Sequence, residues 1–146
     1  MAEMKEEERD FLYALIGDTE SERRLKDFVF YYGLRLALRE HWKLENSDIV
    51  KKMSETAVQE ILHGRCRSCN GTRLDRKFSA CPRCSSLGVR RLSGRILSEK
   101  IGVDRRHFTG LWQHRYDCLY VFVEDIQGNV VSQVRQSRNW DAVLLA

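Results

Sequence analysis

A single proline in 146 residues, no apolar run long enough to span a bilayer and no glycine-rich phosphate loop set the first limits on this chain. With 42% hydrophobic and 32% charged residues beside so few helix breakers, the composition excludes the disordered and low-complexity classes. The opening stretch from Met1 to Asp10 has neither the basic start nor the apolar run of a secretion signal, so a cytoplasmic protein with no membrane association is expected. In a reducing compartment five cysteines are poor disulfide candidates, and an odd number cannot all pair. Catalytic groupings are missing too. His41, His63, His107 and His114 are scattered among helical segments with no nucleophile and base in company, so no enzymatic activity is expected.

What is present divides into three stretches, 1–64, 65–90 and 91–146, expected to form one compact unit. In the first, apolar residues recur at helical spacing, and the spacing predicts helices over 7–16, 21–43 and 47–63. The breaks fall at Gly17 to Ser21 and Leu44 to Asp48, where short polar side chains can cap the helix that follows. The stripe Phe28, Tyr31, Tyr32, Leu34, Leu36 and Leu38 is read as core. From Gly64 to Gly88 the periodicity vanishes, and something other than an apolar core must hold the segment together. Helical spacing returns from Leu92. Near the C-terminus the run from Leu119 to Val123 suits a strand by propensity, with Gln127 to Asn129 as a turn, and suits a continued helix equally well. The fold class is mainly α: a small helical bundle with a helix-turn-helix and an inserted four-cysteine zinc finger.

The most specific chemical signal lies in the middle stretch. Cys66 and Cys69 form one C-x-x-C pair, Cys81 and Cys84 a second, with eleven residues between them. Two residues between cysteines let both thiolates face one cation, and two such pairs complete a tetrahedron of sulfurs, for which zinc is the best fit. With four protein ligands the single Zn2+ is expected to be structural, because no position remains for a reactive water. Cys118 stands apart in a helical apolar pattern and is read as a core residue.

Charge gathers in the same region. Between Arg65 and Arg115 there are thirteen Lys and Arg residues against three acids, a net +10, whereas the whole chain carries +4. Such density fits a phosphate-binding surface, with Arg67, Arg73, Arg76, Lys77, Arg83, Arg90 and Arg91 as candidate DNA contacts. Beyond it, Gly94 to Gln113 has the pattern of two short helices packed across a tight turn. Leu97 and Ile101 face inward with Val103, Phe108 and Leu111, Gly102 makes the turn, and Asp104 caps the second helix. Arg105, Arg106 and Thr109 then point away from that small core at the end of the helix which enters a major groove, with His107 and Gln113 as weaker contacts.

From Gly64 to about Glu124 the sequence resembles the Q antitermination proteins of lambdoid bacteriophages. The resemblance is carried by the stretch from Arg65 to Thr72 at the first cysteine pair, by Cys81-Pro82-Arg83-Cys84 and Gly88 at the second, and by Trp112 and the Tyr116 to Val123 region. The order of zinc loop, helix-turn-helix and long helix favours this family over chaperones that also use a C-x-x-C-x-G knuckle. Members are helical throughout, which implies a final helix running to about Ile126. The resemblance implies double-stranded DNA at a phage late promoter as one partner. Host RNA polymerase with its primary sigma factor is the other, modified so that it reads through terminators. The eleven-residue spacer is shorter than the family's usual loop, and a long N-terminal extension is not part of this sequence. Two further readings fit the residues: a sequence-specific repressor or activator, and a zinc module that grips RNA or peptide.

Overall fold

A computed structural model describes residues 3–43, 45, 47–64, 76, 77, 79–83 and 91–136. Among these the chain is mainly helical and contains no strand. Helix α1 spans Glu6–Leu15, α2 Thr19–Arg39 and α3 Ser47–His63. After the cysteine-rich stretch come α4 at Gly94–Ile101 and α5 at Arg105–His107, then a π-helical turn at Phe108–Trp112 and α6 at Gln113–Gln136.

The ends of the helices follow from local chemistry. Three glutamates occupy the first turn of α1, and the Glu8 carboxylate accepts from the Lys5 amide at 3.0 Å. Gly17, at φ 100°, ends α1 by letting the Asp18 amide bond back to the Tyr13 carbonyl at 3.1 Å. Asp18 then starts α2, accepting from the Glu20 amide at 3.2 Å and the Ser21 hydroxyl at 2.7 Å. The close of α2 repeats the first device with a residue less suited to it. His41 sits at φ 58° while the Trp42 amide reaches the Ala37 carbonyl at 2.8 Å.

One continuous core joins the N-terminal helices to the C-terminal ones. Phe11, Leu25, Val29, Met53 and Val58 pack in the same cluster as Ile101, Phe108, Tyr116, Leu119 and Val123. Gly33 is the point of closest approach: a Cβ there would stand 2.8 Å from Val50 Cγ1 and 3.3 Å from Leu119 Cδ2, so α2 lies directly on both α3 and α6. Polar ties hold the periphery. Asp10, buried on α1, accepts from Arg24 of α2 at 3.0 Å, and Glu8 accepts from Gln133 of α6 at 2.7 Å.

Four sequence readings need correction. Helix α2 ends at Arg39 rather than residue 43, and of its expected core stripe Tyr31 and Leu38 are 63% and 59% exposed. Leu111 is exposed and Trp112 takes its place in the core. The cause is the π turn: its wider i→i+5 loop rotates the chain less per residue than an α-helix, so Leu111 stops short of the core side and Trp112 arrives there. The strand alternative for Leu119 to Val123 is overturned. The helix favoured by the resemblance is the one observed, and it continues past Ile126 to Gln136. Among the described residues no helix is long and apolar enough to cross a membrane.

Candidate nucleic-acid interface

The region from α4 to the start of α6 is built around a left-handed glycine. Ser93 opens α4 by accepting from the Ile96 amide at 3.3 Å, and Leu97 and Ile101 turn into the core. Ser98 is buried at the contact with its hydroxyl donating to the Arg95 carbonyl at 2.8 Å. Gly102, at φ 81°, ends the helix, with the amides of both Gly102 and Val103 bonded to the Ser98 carbonyl. A side chain at that φ would be strained, so the turn depends on glycine.

Asp104 restarts the chain as a helix by accepting from the Arg106 amide at 3.0 Å. Backbone angles stay right-handed helical through Phe108 and Gln113, so α5, the π turn and α6 form one uninterrupted rod. Phe108 and Trp112 anchor its inner side, leaving Arg105, Arg106, His107, Thr109 and Gln113 exposed. Asp104, Arg105, Arg106, Thr109 and Gly110 border a shallow open depression. The Thr109 hydroxyl donates to the Arg105 carbonyl at 3.0 Å. No described carboxylate pairs with the guanidinium of Arg105 or Arg106.

Two aromatic and polar clusters hold this rod in place. Trp42 meets Trp112 edge to face at 6.4 Å, and the Arg115 guanidinium lies over both indoles, 4.8 Å from the first and 4.6 Å from the second. Desolvation in that position lowers the pKa of Arg115. On the other side Glu60, 3% exposed on α3, accepts from the Tyr116 hydroxyl at 2.6 Å and, through its second oxygen, from the Leu92 amide. The Tyr116 hydroxyl is consequently held far above its ordinary pKa, by burial first and then by the Glu60 charge and hydrogen bond. Both features were missed in the sequence, where a lone glutamate in an apolar helix reads as a surface residue.

The remaining predicted contacts are distributed unevenly. Arg76, Lys77 and Arg83 are exposed, while Arg67, Arg73 and Arg90 lie outside the described residues. Arg91 is engaged within the protein: it pairs with Asp117 at 3.2 Å and lies 3.8 Å over the Tyr120 ring. Burial works against its charge, but the Asp117 hydrogen bond and the nearby Glu60 together raise its pKa. Of the four expected zinc ligands, Cys66, Cys69 and Cys84 lie outside the described residues, and Cys81 is buried at 2% exposure. The four thiols as a donor set fit a soft tetrahedral cation. Cys118 is half-buried against the core, and desolvation raises its thiol pKa. Comparison with family models, with curated proteins and with solved structures gives no match to this chain.

Proposed function

We propose that this chain is a DNA-binding transcription factor whose helix-turn-helix consists of α4, the Gly102 turn and the rod that begins at Arg105. The observation that carries this reading is the pair Arg105 and Arg106. Both are exposed, without carboxylate partners among the described residues, and fixed at the capped start of a helix whose opposite side is anchored by Phe108 and Trp112. A planar guanidinium held there can reach guanine O6 and N7 in the major groove, and Thr109 and Gln113 lie further along the same rod. Arg67, Arg73, Arg76, Lys77, Arg83 and Arg90 would add phosphate contacts. One structural zinc held by Cys66, Cys69, Cys81 and Cys84 would order their segment, supplying folding free energy rather than chemistry.

The resemblance to Q antitermination proteins supports a further step, in which the bound factor engages host RNA polymerase and its sigma factor in the cytoplasm and carries readthrough past terminators. A surface for such a partner is available on α2, where Tyr31 and Leu38 are exposed. The test has two stages. Band shifts with duplexes selected from a random pool should show Arg106→Ala losing about 1–3 kcal/mol on the selected sequence, whereas Arg76→Ala weakens all sequences alike. Equal losses on selected and random duplex for both variants would remove sequence reading from Arg106. Transcription past a terminator on a template carrying the selected site then separates an antiterminator from a repressor: Tyr31→Ser with Leu38→Ser should keep DNA binding and abolish readthrough.

A further inference from the structure

Helix α3 enters the sequence as part of the helical body, yet one of its cations lies beside the turn of the DNA-reading unit. Lys52 Nζ is 3.3 Å from where a Cβ on Gly102 would stand. It belongs to the side of α3 that faces α4: on the successive turns that follow, Thr56, Gln59 and His63 line a cleft shared with Leu92 and Lys100. The ammonium therefore lies at the junction between α4 and the rod, two residues before the Asp104 cap. We propose that Lys52 grips the phosphate backbone of duplex DNA beside the groove entered by Arg105 and Arg106, with Lys100 on the same face. The proposal rests on the DNA-binding reading given above.

Charge favours this occupant. Lys52, Lys100, Arg105 and Arg106 make no ion pair or hydrogen bond through their side chains among the described residues. Of the acids nearest them in sequence, Glu99 pairs with Arg95 at 3.5 Å and Asp104 accepts from the Arg106 amide, while Asp48 and Glu55, four residues before and three after Lys52 on α3, form no ion pair with it. On α2, by contrast, Arg23, Arg24 and Lys26 are each paired with carboxylates. Geometry favours it as well. When the start of a helix enters a major groove, the turn before it passes over the sugar-phosphate chain, so a cation at that turn meets phosphate and not base edges. Lys52 should then add affinity without adding sequence preference.

Lys52→Gln, Lys52→Arg and Arg106→Ala in the full chain would be titrated with a random-sequence duplex and with selected duplexes, between about 50 and 200 mM salt. Lys52→Gln is expected to weaken both duplexes by the same factor. It should also make the slope of log affinity against log salt shallower by about 0.9, the share of one phosphate. Lys52→Arg, which keeps the charge, should retain the wild-type slope, and all three variants should melt as the wild type does. Wild-type slope in Lys52→Gln alongside weakened Arg106→Ala would overturn the grip while leaving the DNA reading standing. Loss confined to the selected duplex would also overturn it, by making Lys52 a base reader. Failure of the wild-type chain to bind any duplex would remove the DNA reading itself, and the grip with it.

Discussion

Glu60 and Tyr116 allow a quantitative test of how the interface is braced. Tyr116→Phe removes one hydroxyl from a fully buried ring and withdraws one donor from a carboxylate that is itself 3% exposed. Hydrogen bonds to charged groups contribute roughly 1.5–3 kcal/mol, so that loss is expected for the single variant. Glu60→Leu is less informative alone. It strands the Leu92 amide and the Tyr116 hydroxyl, but it also relieves the several kcal/mol of desolvation carried by a buried carboxylate, and the two effects oppose each other. The double-mutant cycle in urea unfolding isolates the pair, with an expected coupling of about 1.5–3 kcal/mol at unchanged m value. A coupling under about 0.5 kcal/mol would refute the reasoning, because independent sites add to within that margin. The pH dependence gives a second reading of the same bond. The folded state keeps the Tyr116 proton at a pH where an unfolded tyrosine, of pKa about 10, has lost it. The native form thus binds more protons above that pH. Its stability is fully present below about pH 10 and falls above it by about 1.4 kcal/mol per pH unit for this group. Tyr116→Phe should lack that share of the alkaline slope.

Two other outcomes follow from single residues. His41 closes α2 in the left-handed region, where a side chain costs about 1–2 kcal/mol and glycine gives back about 0.5–1 kcal/mol in chain entropy. His41→Gly should accordingly raise the urea midpoint by roughly 0.5–1 kcal/mol of stability; a lower midpoint would mean that the exposed imidazole makes a stabilising contact. The paired cysteines predict about one zinc per chain by metal analysis, and Cys66→Ser or Cys84→Ser should lower both zinc content and stability. Metal-free protein with four freely reactive thiols would end the zinc reading.

The helices were legible in the sequence because their caps and periods agree. Gly17 and Asp18 mark the first break by a positive φ and an acceptor side chain, and Gly102 and Asp104 mark the later one in the same way. Register was less legible. The α2 stripe extends over too wide an arc for one buried face, so Leu36 is buried while Tyr31 and Leu38 are not. The π turn carries no residue that signals it; an unbroken α-helix would fit Phe108 to Trp112 equally well, and the exchange of Leu111 for Trp112 could not be read. Glu60 and Lys52 escaped for a common reason: each is a charged residue on a helix, and its role comes from a segment far away in sequence.

The path of the chain through Glu60 joins these observations. The Gly64 amide bonds to the Glu60 carbonyl at 2.9 Å as α3 ends, and the Leu92 amide bonds to the carboxylate of the same residue as the chain returns. The cysteine-rich stretch therefore leaves and re-enters the helical body at one point. None of its described residues joins the main apolar cluster, although Cys81 is buried. The helical core accordingly closes through α1 to α3 and α4 to α6 without any described residue of the middle segment. That separation accounts for the chain's asymmetry of composition. Apolar periodicity is needed where helices must pack. It lapses between Gly64 and Gly88, and the residues that flank this stretch are both held at Glu60, Gly64 by the backbone carbonyl and Leu92 by the buried carboxylate.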